Sequence, residues 1–190
     1  MRRLLSLLAS FALLCPLVSA QSTWVPDKAH SEVDFSVLHM GLTRVHGKIG
    51  NIGGSIALNE SDITKSTVSV TIDVNTVDTG VAARDNDLKG AHFFDVSQFP
   101  TATFVSTSVT KSGSGLTVVG NLTLHGVTKP VTLNVEQPVG PVNGMGHKEH
   151  MGFSATTTLK RTDFGIAPNF PAAMVGDEIA LTIDLDAVKQ

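Results

Sequence analysis

Apolar and polar residues alternate with a period of two along most of this chain, the pattern of strands with one buried face. In residues 31–37, Val33, Phe35 and Val37 share one side, and Glu32, Asp34 and Ser36 the other. Residues 45–58 predict a long strand or a pair of strands, broken by Gly47, Gly50, Gly53 and Gly54. Glycines inside a strand pattern mark bulges, curvature or the close approach of another group. Clean alternation resumes at 67–74 (Val68, Val70, Ile72, Val74) and after Pro100 (Ala102, Phe104). It continues through 116–124, 131–135, 152–160 and 178–185. Residues 111–115, KSGSG, read as a hairpin loop, residues 125–129 as a tight turn, and the Gly- and Pro-rich stretch 138–150 as a loop.

One stretch interrupts this pattern. Residues 80–107 concentrate charge at Arg84, Asp85, Asp87 and Lys89, then set Phe93 and Phe94 side by side before Asp95 and Pro100. Leu88 and Phe93 lie about a helical turn apart, so a short helix or irregular turn is expected there. Its two phenylalanines need an apolar partner, and the flanking strands supply one. The segment is therefore read as a plug or lid on a β-structure.

About eight alternating strands at hairpin spacing, with no long helical pattern, predict an all-β antiparallel sandwich or barrel in one domain. An eight-stranded barrel either fills its own interior or holds one small ligand. Arg2 and Arg3, the apolar run 4–18 and the small residues Val18-Ser19-Ala20 predict a secretory signal peptide over residues 1–20, cleaved near Ala20-Gln21. Residues 21–190 would then form the mature domain, placed in the periplasm or secreted. The single cysteine, Cys15, lies in the leader, so the domain is expected to rely on burial rather than disulfides. The formal charge of −3 has no basic stripe, which argues against a nucleic-acid partner. No apolar run after residue 20 is long enough to cross a bilayer as a helix.

Candidate chemistry is sparse. His147-Lys148-Glu149-His150 has an H-x-x-H spacing, a weak metal signal set in a predicted loop. His39, His46 and His125 fall at strand ends and turns, where structural roles are common. There is no G-x-S-x-G and no phosphate-cradling glycine loop. Asp85 and Asp87 have Arg84 and Lys89 beside them as salt partners. Arg84 and Arg161 each border an irregular segment next to phenylalanine. Each reads either as a tie between loop and rim or as an anion-holding group at the mouth of an apolar cavity.

Several pieces, in order, resemble the YceI family. They are His30-Ser31-x-Val33-x-Phe35-x-Val37-x-His39-Met40-Gly41 with Val45-His46-Gly47, then Arg84-Asp85-x-x-Leu88 with Phe93-Phe94-Asp95 and Pro100. Gly120-x-Leu122-Thr123-Leu124-His125-Gly126-Val127-Thr128-Lys129-Pro130 and Arg161-Thr162-Asp163-Phe164-Gly165-Ile166 complete the set. Asp87, Gly90, Ile49 and Ile52 depart from the family's usual residues. The resemblance implies an eight-stranded antiparallel, lipocalin-like barrel with a short helix across one end. It also implies a tunnel for a polyisoprenoid or similar lipid: an isoprenoid quinone, a prenyl pyrophosphate or a fatty amide. The implied role is carriage, storage or sensing rather than turnover, with no cofactor or metal; a homodimer is one arrangement compatible with such a tunnel. Candidate lining residues are Phe35, Val37, Ile52, Val70, Phe94, Phe104, Leu122, Phe153 and Leu159, with Arg84 and Arg161 as headgroup or rim candidates. The alternatives are an envelope metal-binding protein or enzyme using His147 and His150, and a filled barrel that serves as a protein-interaction scaffold.

Overall fold

The computed structural model describes residues 21–190; the leader read in residues 1–20 lies outside the described residues. The chain forms β1 Gln21–Pro26, β2 Glu32–His39, β3 Thr43–Ile49, β4 Ile52–Asn59, β5 Thr67–Asp73, α1 Ala82–Lys89, β6 Thr101–Ser112, β7 Gly115–Leu124, β8 Val127–Val135, β9 Val139–Asn143, β10 Glu149–Lys160 and β11 Val175–Lys189. The predicted all-β class is the observed one. The ring β11-β1-β4-β5-β6-β7-β8-β10 closes on itself through the β10–β11 pairing, giving an eight-stranded antiparallel barrel.

Three segments lie outside that ring, and each has a physical reason. β2 and β3 continue β1 and β4 past a break. β11 pairs with β2 along Val175–Asp184 and with β1 at Ala187–Lys189, so β1 and β2 are two halves of one wall strand. The β3–β4 break falls at Asn51, whose φ of 52° turns the chain. β9 is a short edge strand on β10, and every one of its residues is exposed. With no buried face it carries no alternation, so its sequence reads as loop. β1 is likewise under-signalled, because only its final residues alternate, with Trp24 and Pro26 buried.

The glycines of the wall have identifiable neighbours. Phe35 pairs across the strands with Gly47, and its ring lies where a Gly47 side chain would stand. The Phe104 ring occupies the same position at Gly120. These glycines let aromatic rings lie flat against the inner wall. The β8–β10 seam is the thinnest part of the ring, with backbone pairing only at Val135–Ala155 and Asn134–Thr156. The Thr157 hydroxyl, donating to the Thr132 carbonyl at 2.8 Å, extends it by one link.

Candidate functional site: a lidded apolar cavity

The inward faces of the strands do not fill the barrel. Two adjoining chambers lie along it, of about 150 and 100 Å³. Both are lined by Val33, Ile72, Leu122, Leu159 and Leu181, which form a shared waist. Below the waist, Ile52, Val70 and Phe104 line the inner chamber. Above it, Phe35, Val37, Val175 and Ile179 form the wall of the outer chamber. Among the described residues that line the two chambers, the polar side chains are Thr157 and Arg161. Trp24, Ile56, Leu58, Met151 and Ala187 pack as a separate cluster that joins the main core through Leu185, Ile63 and Val68.

Two flaps cover the outer chamber. The first is the excursion between β5 and β6 that the sequence singles out. α1 contributes Leu88, and the turn after it contributes Phe93 and Phe94. The helix precedes the phenylalanines instead of containing them. Gly90 ends α1, and the Phe94 amide then donates to the Leu88 carbonyl at 2.9 Å, a hydrogen bond that folds the turn under the helix. Asp85 anchors the start of the flap by accepting from the Thr79 amide at 2.8 Å and the Thr79 hydroxyl at 2.5 Å. The Thr79 hydroxyl holds the Asp85 carboxyl below the usual carboxylate range. Backbone bonds between Lys48 and Asp78, 2.8 and 3.0 Å long, fix the flap's root to β3.

The second flap is the loop between β10 and β11, which begins with a 3₁₀ turn at Arg161–Phe164. Phe164 and Ile166 reach into the outer chamber. Phe170 of this loop meets Phe93 of the first flap with ring centroids 5.3 Å apart. The mouth therefore closes where two separate excursions touch through phenylalanine.

Arg161 organises this second flap. It is 4% exposed, and its guanidinium donates to five backbone carbonyls. These are Gly176 at 3.2 Å, Ile166 at 3.1 Å, Phe170 at 2.6 Å, Val175 at 2.9 Å and Ala167. A guanidinium has five N–H donors, and all are spent on the chain's own backbone. The headgroup reading of Arg161 is therefore corrected: it ties loop to rim and has no donor left for an anion. Arg84 points the same way. Its Nε donates to the Thr79 hydroxyl at 2.7 Å and its Nη2 to the Thr79 carbonyl at 3.0 Å, both within the first flap.

The other sequence candidates separate clearly. Phe35, Val37, Ile52, Val70, Phe94, Phe104, Leu122 and Leu159 line one chamber or both. Phe153 lines neither. It shares the inward face of β10 but packs against the Trp24 cluster, beyond the end of the inner chamber. Alternation alone cannot give depth along a barrel strand, which explains that misplacement. Phe164, Ile166 and Phe170 were missed as lid residues because their loop has no periodicity. The H-x-x-H pair is divided: His147 ends a 3₁₀ turn at a φ of 60°, while His150 turns its Nδ1 to the Asp186 carboxylate at 2.8 Å.

A closed antiparallel barrel around an apolar, lidded cavity belongs to the class of β-barrels that can enclose one small ligand. The chain belongs to the YceI-like domain family, whose profile matches residues 24–187. It is 38% identical over 161 residues to Protein YceI of Salmonella arizonae, covering 85% of this chain and 83% of that one. A Campylobacter jejuni YCEI protein superposes with a TM-score of 0.70 at 29% identity, over 80% of this chain and 90% of that one. Burkholderia cenocepacia BcnA shares the fold, with a TM-score of 0.75 at 22% identity over 85% of this chain and 98% of that one. So does a polyisoprenoid binding domain from Saccharophagus degradans, with a TM-score of 0.62 at 14% identity over 90% of this chain and all of that one. Among the described residues no helix is long and apolar enough to cross a membrane.

Proposed function

We propose that this protein binds a long-chain apolar lipid, a polyisoprenoid or a molecule of similar shape, inside the barrel. The observation that carries this reading is a cavity whose lining is almost wholly aliphatic and aromatic, beneath a two-part phenylalanine lid. An isoprenoid chain offers no hydrogen bonds, and this wall asks for none. Each buried CH₂ contributes about 0.8 kcal/mol, offset in part by immobilising the chain. The likeness to a structure described as a polyisoprenoid binding domain agrees with this cargo class.

Cavity size adds a condition. An apolar cavity of about 150 Å³ is large enough for a benzene ring, and the outer chamber is of that size. A long chain is therefore accommodated with its tail past the waist and with Phe93, Phe94 and Phe170 displaced at the mouth. The reading extends to carriage, storage or sensing of the cargo without turnover: among the described residues the one lining hydroxyl, Thr157, donates to the Thr132 carbonyl, and the chamber linings carry no His, Cys, Asp, Glu or Lys beside it. Export by the leader in residues 1–20 would place the barrel in the periplasm or outside the cell.

The test is native mass spectrometry of gently purified protein, with mass analysis of its organic extract. A stoichiometric prenyl or acyl adduct is expected. Leu159→Trp, which fills the waist, should reduce that adduct at least several-fold while the barrel still unfolds cooperatively. Protein that carries no adduct and takes up no added prenyl lipid would make the barrel a closed scaffold and overturn the proposal.

A further inference from the structure

On the outer wall, away from the cavity, the two ends of the domain meet in a cluster of ligand-type side chains. Asp27 follows β1, His30 lies in the turn before β2, and Asp186 lies near the end of β11. Ligand atoms of these three residues all lie within 4.8 Å of one another. The backbone fixes the two carboxylates relative to each other: the Asp27 amide donates to the Asp186 carbonyl at 2.7 Å. The Ser31 hydroxyl holds the Asp186 backbone on both sides, donating to its carbonyl at 3.2 Å and accepting from its amide at 3.1 Å. Each carboxylate also has one oxygen committed to a local donor. Asp27 Oδ1 accepts from the Ala29 amide at 2.9 Å, and Asp186 Oδ1 lies 2.8 Å from His150 Nδ1.

Asp27, His30 and Asp186 thus turn ligand atoms toward one another across the join between the chain ends. His30 Nδ1 lies 2.9 Å from Asp27 Oδ2, a hydrogen bond that an ion seated between the two would replace, and the His30 side chain is 69% exposed on its turn. We infer that Asp27, His30 and Asp186 bind a divalent transition-metal ion, with zinc the best fit. One imidazole nitrogen and two carboxylate oxygens, with the remaining position open to water, is a donor set zinc accepts. Two carboxylates balance the charge of a dication, and the imidazole disfavours calcium and magnesium, which prefer all-oxygen shells. His150 does not need to touch the ion. Its hydrogen bond orients the Asp186 carboxylate, the support that metal-binding side chains commonly receive from their neighbours.

Zinc titration of the metal-stripped protein by calorimetry tests this. One ion per chain is expected. Because the ion joins the first and last strands, the melting temperature should rise by about 5 °C at a hundredfold excess over Kd. His30→Ala, at an exposed turn, should leave the fold intact and weaken zinc binding at least tenfold. Asp186→Asn should do the same, and His147→Ala should change nothing. If Asp186→Asn fails to fold, zinc K-edge absorption on the wild type decides the matter, with a shell of light N and O donors including one imidazole expected. No saturable heat at submillimolar zinc, an unchanged Kd in His30→Ala, or loss of binding in His147→Ala overturns the site.

Discussion

Arg161 shows how far one side chain can organise this molecule. Five carbonyls of the second flap and of β11 point at one guanidinium, and among the described residues no other cation is buried. Arg161→Met keeps most of the volume and removes every donor. Leaving several buried carbonyls unsatisfied should cost about 3 kcal/mol or more. The expected fall in melting temperature is roughly 10 °C, with the flap around Phe170 gaining solvent exchange first. A melting temperature within about 2 °C of wild type would show that the carbonyls find other partners. Lysine does not rescue, because it cannot reach five divergent acceptors. In sequence Arg161 stands out only as a charge beside Phe164; the carbonyls that define its role belong to backbone as far away as Gly176.

Individual elements divide into wall and lid. On the wall, Gly120 of β7 leaves the space that the Phe104 ring occupies. Gly120→Val should push that ring toward the inner chamber, at a cost of about 1–3 kcal/mol, and should lower lipid uptake by more than the stability loss explains. Equal uptake at matched folded fraction would count against Phe104 lining a ligand site. On the lid, both flaps have carboxylates as anchors. Asp85 and Asp177 are held below the usual carboxylate range by the Thr79 and Thr162 hydroxyls respectively. A carboxylate with a lowered folded pKa stabilises above its unfolded value of about 3.9, and that contribution is lost as pH falls through the folded value. The flaps should therefore loosen below about pH 4, ahead of the barrel wall. Hydrogen exchange in α1, corrected for intrinsic rate, should accelerate as pH falls below about 4, and Asp85→Asn should remove that dependence for the first flap. Unchanged α1 protection across that range would mean that Asp85 does not hold the flap.

At the scale of the whole molecule, the barrel joins a packed end to a hollow one. The Trp24 cluster ties the first strand to the last: Trp24 pairs with Lys189, whose ammonium also lies 5.6 Å from the ring centroid. The chambers leave the hollow half unfilled, so bound cargo should contribute directly to stability. A saturating lipid at a hundredfold excess over Kd adds about 2.7 kcal/mol by mass action. Delipidated protein should accordingly melt several degrees lower than loaded protein, and Leu159→Trp should narrow that gap. If delipidation leaves the melting curve of the wild type unchanged, the cavity is not where the lipid resides.

Strand alternation is a local property, fixed by which side of a pleat each residue occupies. The sequence alone therefore determined the all-β class, a count of about eight strands, the inward face of strands such as β2, β5, β10 and β11, and the lid between β5 and β6. Phe35, Ile52, Val70, Phe104, Leu122 and Leu159 could be named as inward-facing for the same reason. Depth is not local. Whether an inward side chain meets the cavity or the packed end depends on the stagger of strands that are far apart in sequence, and that placed Phe153 with Trp24. Nor can spacing show that the β10–β11 loop is a second flap, that Arg161 spends its donors on backbone, or that Asp27 and His30 lie beside Asp186. Those juxtapositions arise only when the barrel closes and brings its first and last strands together.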